Sequence, residues 1–123
     1  MSIDRRRGDR YLLTLPVRVE WQDENGNKMV EEGLTENIGP YGALIHLPRF
    51  LPAVGSQVQV VVTNDNNKEV SAAAEVLRLE RNAAHPQLAV DLVDSVEKWQ
   101  KQLWSTAPAV IAKREAEEEY DDF

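Results

Sequence analysis

The chain predicts a mainly-β domain, a small antiparallel barrel or sandwich. Six short apolar segments recur at intervals of roughly 10 to 15 residues. Clusters of Asn, Asp, Gly and Pro separate them, and these residues favour turns for distinct physical reasons. An amphipathic helical pattern begins only after the sixth segment. At 123 residues the chain suits one domain around one core.

The first strand is expected over residues 11 to 22. Leu13, Leu15, Val17, Val19 and Trp21 alternate with polar residues, the period-2 signature of a strand with one buried face. Pro16 suggests an edge or a bulge there. Asp23-Glu24-Asn25-Gly26-Asn27 is a hairpin signal, since Asn-Gly tolerates the positive φ of a type I′ turn, and the chain returns through residues 28 to 36. Residues 42 to 48 form a third, apolar strand. Pro48 and Pro52 bracket a loop. Val58, Val60 and Val62 share one face of a strand over residues 57 to 63. Asn64 to Lys68 turn the chain into a loosely alternating strand over residues 70 to 80. After a turn at residues 82 to 86, Leu88, Val90 and Leu92 mark the last strand. Ser95 stands at an N-cap position. Val96, Trp99 and Leu103 follow as a stripe able to cover a barrel end, with Trp104 beside it. Pro108 interrupts, and a second helical segment is expected from Ala109 to about Glu119. Domain limits follow: a flexible basic arm over residues 1–11, the β-domain with its helix over 12–105, and an acidic tail, partly helical or disordered, over 106–123.

Composition narrows function. The net charge of −7 opposes general affinity for nucleic-acid backbone, and no strand interleaves aromatic with basic residues as single-strand binders do. Much of the acidity is local. Glu115 to Phe123 holds six acidic residues and no basic ones. With no cysteine, disulfides and thiolate metal sites are excluded. His46 and His85 are the only histidines and have no zinc-ligand spacing; both read as structural or exposed. No nucleophile elbow surrounds any serine, so no enzyme is expected. No apolar run approaches the roughly 20 residues of a membrane span, and Met1-Ser2-Ile3-Asp4 begins no signal peptide, so a cytoplasmic location is expected.

Two elements carry chemistry. Asp4-Arg5-Arg6-Arg7-Gly8-Asp9-Arg10 packs four guanidinium groups into seven residues. Arg presents a planar, permanently charged fork that fits phosphate oxygens and guanine O6 and N7. The second element is Asn37-Ile38-Gly39-Pro40-Tyr41-Gly42. Asn37 can donate and accept at once, as a guanine edge requires. Gly39 and Gly42 can adopt positive φ and let backbone approach a ligand. Read alone, this loop is also compatible with a plain turn.

Taken together, Arg6-x-x-x-Arg10 followed by Asn37-x-Gly39-x-x-Gly42 resembles the PilZ domain, a bacterial family of cyclic di-GMP receptors with RxxxR and [D/N]xSxxG motifs. Leu15-Pro16-Val17-Arg18-Val19, Gly42-Ala43-Leu44-Ile45 and Val54-Gly55-Ser56-Gln57-Val58 are similar to its first strand, the strand after the second motif, and its "VGxxV" segment. The resemblance covers about residues 4 to 104. It departs at Gly39, where the family has serine, and at Leu88-Ala89-Val90-Asp91-Leu92, where the family often has "GVxF".

The resemblance implies a six-stranded antiparallel β-barrel with a C-terminal α-helix. It implies that cyclic di-GMP binds on the barrel's outer surface, with Arg5, Arg6, Arg10, Asn37, Gly39 and Gly42 as ligand-binding residues. Arg6 and Arg10 would contact phosphates and guanines, Asn37 would read a guanine, and Gly42 would shape the loop. Arg5, completing RRxxxR, is similar to members that bind an intercalated pair of ligand molecules. No metal and no cofactor beyond this ligand are implied. The arm has almost no apolar residue to anchor it, so a doubly charged ligand is expected to order it over the barrel. An unidentified effector protein would read that change from a stand-alone adaptor. The alternative is a degenerate PilZ-like interaction module that binds no nucleotide and works through the Trp99–Trp104 helix or the acidic tail.

Overall fold

The structure, a computed structural model, describes residues 8–121. Six strands close a barrel: β1 (Pro16–Gln22), β2 (Lys28–Gly39), β3 (Gly42–His46), β4 (Gln57–Thr63), β5 (Glu69–Glu80) and β6 (Gln87–Leu92). Their order around the barrel is β1-β2-β3-β6-β5-β4, and all pairings are antiparallel. Closure through β1 and β4 removes the free edges that an open sheet would expose. A helical segment follows: α1 (Val96–Trp99), a π-helical turn (Gln100–Trp104) and α2 (Ala107–Asp121). The expected barrel with a C-terminal helix is the fold observed.

The alternation in the first segment holds. Leu13, Leu15, Val17, Val19 and Trp21 are all buried. Val58, Val60 and Val62 of β4 meet them in the core, together with residues of β5 and β6. Trp99 and Leu103 plug one side of the barrel, both almost fully buried, as the apolar stripe predicts. Each such side chain contributes roughly 1.5–3 kcal/mol when removed from water.

Four local expectations are corrected. Pro16 is neither on an edge strand nor in a bulge; it is the first residue of β1, which is paired on both sides from Val17 to Glu20. A missing N–H costs little at a strand's first position. The β1–β2 turn is not type I′, because Gly26 alone has positive φ (80°) and Asn25 does not. It is a three-residue loop in which Gly26 N–H donates to Asp23 O and Asp23 N–H to Asn27 O. The Asp23 carboxylate accepts the backbone N–H groups of Asn25 and Asn27. These bonds, that from Asn27 first, hold its pKa below the usual carboxylate value. Ser95 caps nothing with its hydroxyl, because it sits in the left-handed region (φ 56°). Pro108 does not interrupt. It lies in the first turn of α2, where its lost N–H has no intrahelical partner to miss.

Candidate functional site

The segment leading into β1 meets β2 where β2 is irregular. Thr35 pairs with Ile45 and Asn37 with Leu44, so Glu36 is the extra residue of a bulge. A bulge breaks the in–out alternation. Thr35 is fully buried, Glu36 and Asn37 are both half-buried, and Ile38 is buried again. The Thr35 hydroxyl holds the join. It donates to Leu13 O at 2.7 Å and accepts from Leu15 N–H at 2.8 Å. Tyr11 and Ile38 exchange two backbone bonds of 2.9 Å.

This pairing delivers Arg10 to Asn37. Arg10 Nη1 donates to Asn37 Oδ1 at 2.7 Å. The Arg10 side chain lies over Gly39, where an added Cβ would come within 3.3 Å of its Cγ and Cζ. Gly39 and Gly42 do not have positive φ, contrary to the expectation of a permissive turn. They end β2 and start β3, and their smallness serves packing. A Cβ on Gly42 would sit 2.1 Å from Val90 O, so β3 and β6 can pair there only across a glycine. Of the six expected site residues, the structure brings Arg10, Asn37 and Gly39 together, with Gly42 paired opposite Gly39. Arg5 and Arg6 lie outside the described residues.

The helical segment grips the same loop. Trp99 Nε1 donates to Gly39 O and Gln100 Nε2 to Pro40 O, both at 2.9 Å. Trp104 Nε1 donates to Asp9 O at 2.7 Å, and its ring lies 6.1 Å from that of Tyr11. Gly8 packs between Pro40 and Trp104. The described part of the arm, Gly8 to Tyr11, is thus anchored by the barrel and the π-helical turn.

A surface cleft of about 600 Å³ opens beside Arg10 and Asn37. Leu44, Tyr41, Arg78 and Asp91 are among its other lining residues. Two guanidinium groups and one carboxylate therefore border one cavity, leaving it an excess of positive charge. Arg78 was not foreseen from sequence. The only signal was the apolar pair Val76-Leu77, which interrupts alternation just before it.

A second polar cluster steadies the bulge. His85 Nε2 meets the Glu36 carboxylate, and Gln87 Nε2 donates to it at 2.9 Å. The bond from His85, above all, holds the Glu36 pKa below the usual carboxylate value, with Gln87 adding to it. His46 stacks on His85 with ring centroids 4.1 Å apart, and its Nδ1 lies 2.7 Å from Pro86 O. Both histidines have structural partners. Among the described residues, no group of three or more His, Asp or Glu could hold a metal ion, and no helix is long and apolar enough to cross a membrane.

A family model described as PilZ domain matches residues 4–103. No curated protein matches the chain. Among solved structures, the chain is similar to the "PilZ domain with c-di-GMP of YcgR from Escherichia coli", with 18% identity and a TM-score of 0.65 over 98% of this chain and 100% of that one. It is similar to the Bacillus subtilis inhibitor of motility, MotI/DgrA, with 17% identity and a TM-score of 0.65 over 90% of this chain and 53% of that one. It is also similar to the K. pneumonia MrkH–c-di-GMP complex, with 12% identity and a TM-score of 0.67 over 94% and 56%. The chain spans about half the length of these last two. At such identities the likeness is one of fold.

Proposed function

The chain belongs to the PilZ domain family, and from that membership we propose that it is a receptor for cyclic di-GMP. The observation that carries the reading is the 2.7 Å bond from Arg10 to Asn37. It joins the last residue of one motif to the first residue of the other at the rim of a cleft. In this reading Arg10 contacts a phosphate while keeping Asn37 oriented, and the Asn37 amide turns to a guanine edge. Arg5 and Arg6 close over the ligand from the other side. The charge-assisted contacts dominate, so Gly39, in place of the family's serine, weakens binding by the value of one neutral hydrogen bond without abolishing it.

The output follows from the same contacts. Asp9, Gly39 and Pro40 are all hydrogen-bonded to the segment Trp99–Trp104. A ligand held between Arg5, Arg6 and the cleft acts on the anchor of the arm at these bonds, and the changed surface is offered to an effector protein. The protein acts by binding rather than by catalysis.

The test is calorimetric titration with cyclic di-GMP of the wild type, Arg6→Ala and Arg10→Ala. Micromolar or tighter binding is expected. Each variant should weaken it by roughly 10- to 150-fold, the value of a hydrogen bond to a charged group. A ratio near two would support an intercalated pair bound through Arg5. Amides of residues 1 to 7 should gain protection from exchange at saturating ligand. No heat and unchanged NMR spectra at high protein concentration would overturn the reading and favour an interaction module.

A further inference from the structure

The barrel has a second bulge, and it lies on the opposite rim of the same cleft. β5 pairs with β6 through Val76 opposite Val90 and Arg78 opposite Ala89, so Leu77 is the extra residue. Its effect mirrors that of Glu36. Val76 is fully buried, then Leu77 and Arg78 are both exposed. Bulges are over-represented next to functional sites because they re-aim side chains in this way.

The two bulges bracket one cross-strand row. Asn37 on β2 stands opposite Leu44 on β3, Leu44 opposite Ala89 on β6, and Ala89 opposite Arg78 on β5. All four residues line the cleft. Three strand spacings, roughly 14 Å, separate the ends of the row. Its middle is apolar, and its ends are an amide and a guanidinium. Such a floor suits a flat ring laid on Leu44 and Ala89 with hydrogen-bonding groups at its edges. Arg78 also differs from Arg18 on the outer face of β1. Arg18 on β1 is paired with Glu20 and Glu69, whereas Arg78 has no hydrogen bond or ion pair among the described residues.

We propose that Arg78 is a specificity residue that reads a guanine lying on Leu44 and Ala89, at the end of the cleft away from Arg10. Its forked N–H groups donate to guanine O6 and N7. Adenine offers N7 beside an N6 amino group, which meets the guanidinium donor against donor. Arg78 therefore selects guanine over adenine, a choice that phosphate contacts alone do not make. The inference rests on the cyclic di-GMP reading above and adds to Asn37 a second group that reads a base.

Wild type, Arg78→Ala and Arg78→Lys are titrated calorimetrically with cyclic di-GMP and with cyclic di-AMP, after circular dichroism confirms that each is folded. The wild type is expected to prefer cyclic di-GMP. Arg78→Ala should lose roughly 5- to 150-fold of that affinity and leave affinity for cyclic di-AMP unchanged. Arg78→Lys should keep part of the preference, because an ammonium can donate to O6 and N7 but lacks the planar fork that fixes both bonds. If Arg78→Ala keeps the wild-type affinity and preference, this inference is overturned while the receptor reading stands. If Arg78→Ala weakens cyclic di-GMP and cyclic di-AMP equally while Arg78→Lys restores both, the base readout is overturned in favour of a plain charge contact. A wild type that binds neither dinucleotide overturns the receptor reading itself, and this inference with it.

Discussion

β4 and β2 are neighbours of β1 on opposite sides, and they are built on opposite terms. In β4 the inward valines Val58, Val60 and Val62 are buried and the strand is held by apolar transfer. β2 inverts the pattern. Val30 and Leu34 are 45% and 44% exposed, while Glu31 and Thr35 are buried. Gly39 at its end carries no side chain at all. β2 is held instead by side chains that bond to backbone, by Glu31 paired with Arg49 at 3.6 Å, and by Glu36 tied to His85 and Gln87. The difference teaches that the barrel's stability comes from regular alternation and its site from the places where β2 and β5 depart from it.

The strongest way to break this comparison is Thr35→Val. The shape is kept, but Leu13 O and Leu15 N–H lose their hydroxyl partner in a fully buried place. Unsatisfied buried groups cost about 1–3 kcal/mol each, so urea denaturation should show a loss of about 2–4 kcal/mol. A neutral result would mean that β2 is held as β4 is. Next, Gly42→Ala forces a methyl group against Val90 O. Overpacking of this kind costs about 3 kcal/mol at the upper end of its usual range, and the thermal midpoint should fall accordingly.

Smaller effects sharpen the contrast by separating site from scaffold. Gly39→Ser restores the family's hydroxyl, and only the flexible Arg10 side chain must give way. Cyclic di-GMP should bind up to about tenfold tighter, with stability unchanged within about 0.5 kcal/mol. A weakened affinity would show that the position of Arg10 over Gly39 outweighs the hydroxyl. The smallest effect is that of Glu36. Its pKa is depressed in the fold, chiefly by the bond from His85. The stability it contributes is therefore present above its ordinary value of 4.5 and is lost as pH falls below that through the depressed value. Relative to Glu36→Gln, the wild type should lose about 0.2–1 kcal/mol on acidification from pH 6 to pH 3, read by denaturation at each pH.

This contrast also explains what could be read without coordinates. The barrel was legible in Val17, Val19 and the β4 valines, because period 2 is a local property of a strand. The helix was legible in Val96, Trp99 and Leu103 for the same reason. The motif residues Arg10, Asn37, Gly39 and Gly42 were legible by resemblance, but the role expected of the two glycines was not the one observed. Positive φ is a property of a turn, whereas the constraint on Gly42 comes from Val90, far away in sequence. The two bulges were hidden because a register shift exists only between paired strands. Arg78 was hidden with them, since nothing in its neighbours says which cleft its strand will border. Thr35 looked like any β-propensity residue until Leu13 and Leu15 were placed beside it. The π-helical turn was read as regular helix, because the stripe Val96, Trp99 and Leu103 fits either winding.

The chain has three tryptophans. Trp21 and Trp99 are buried in the core, whereas Trp104 is half-buried and hydrogen-bonded to the arm at Asp9. The molecule thus carries its own optical reporter: Trp104 is the indole bonded to the arm, so a change in the arm's position alters the polarity around it, and intrinsic fluorescence, without any label, follows the arm.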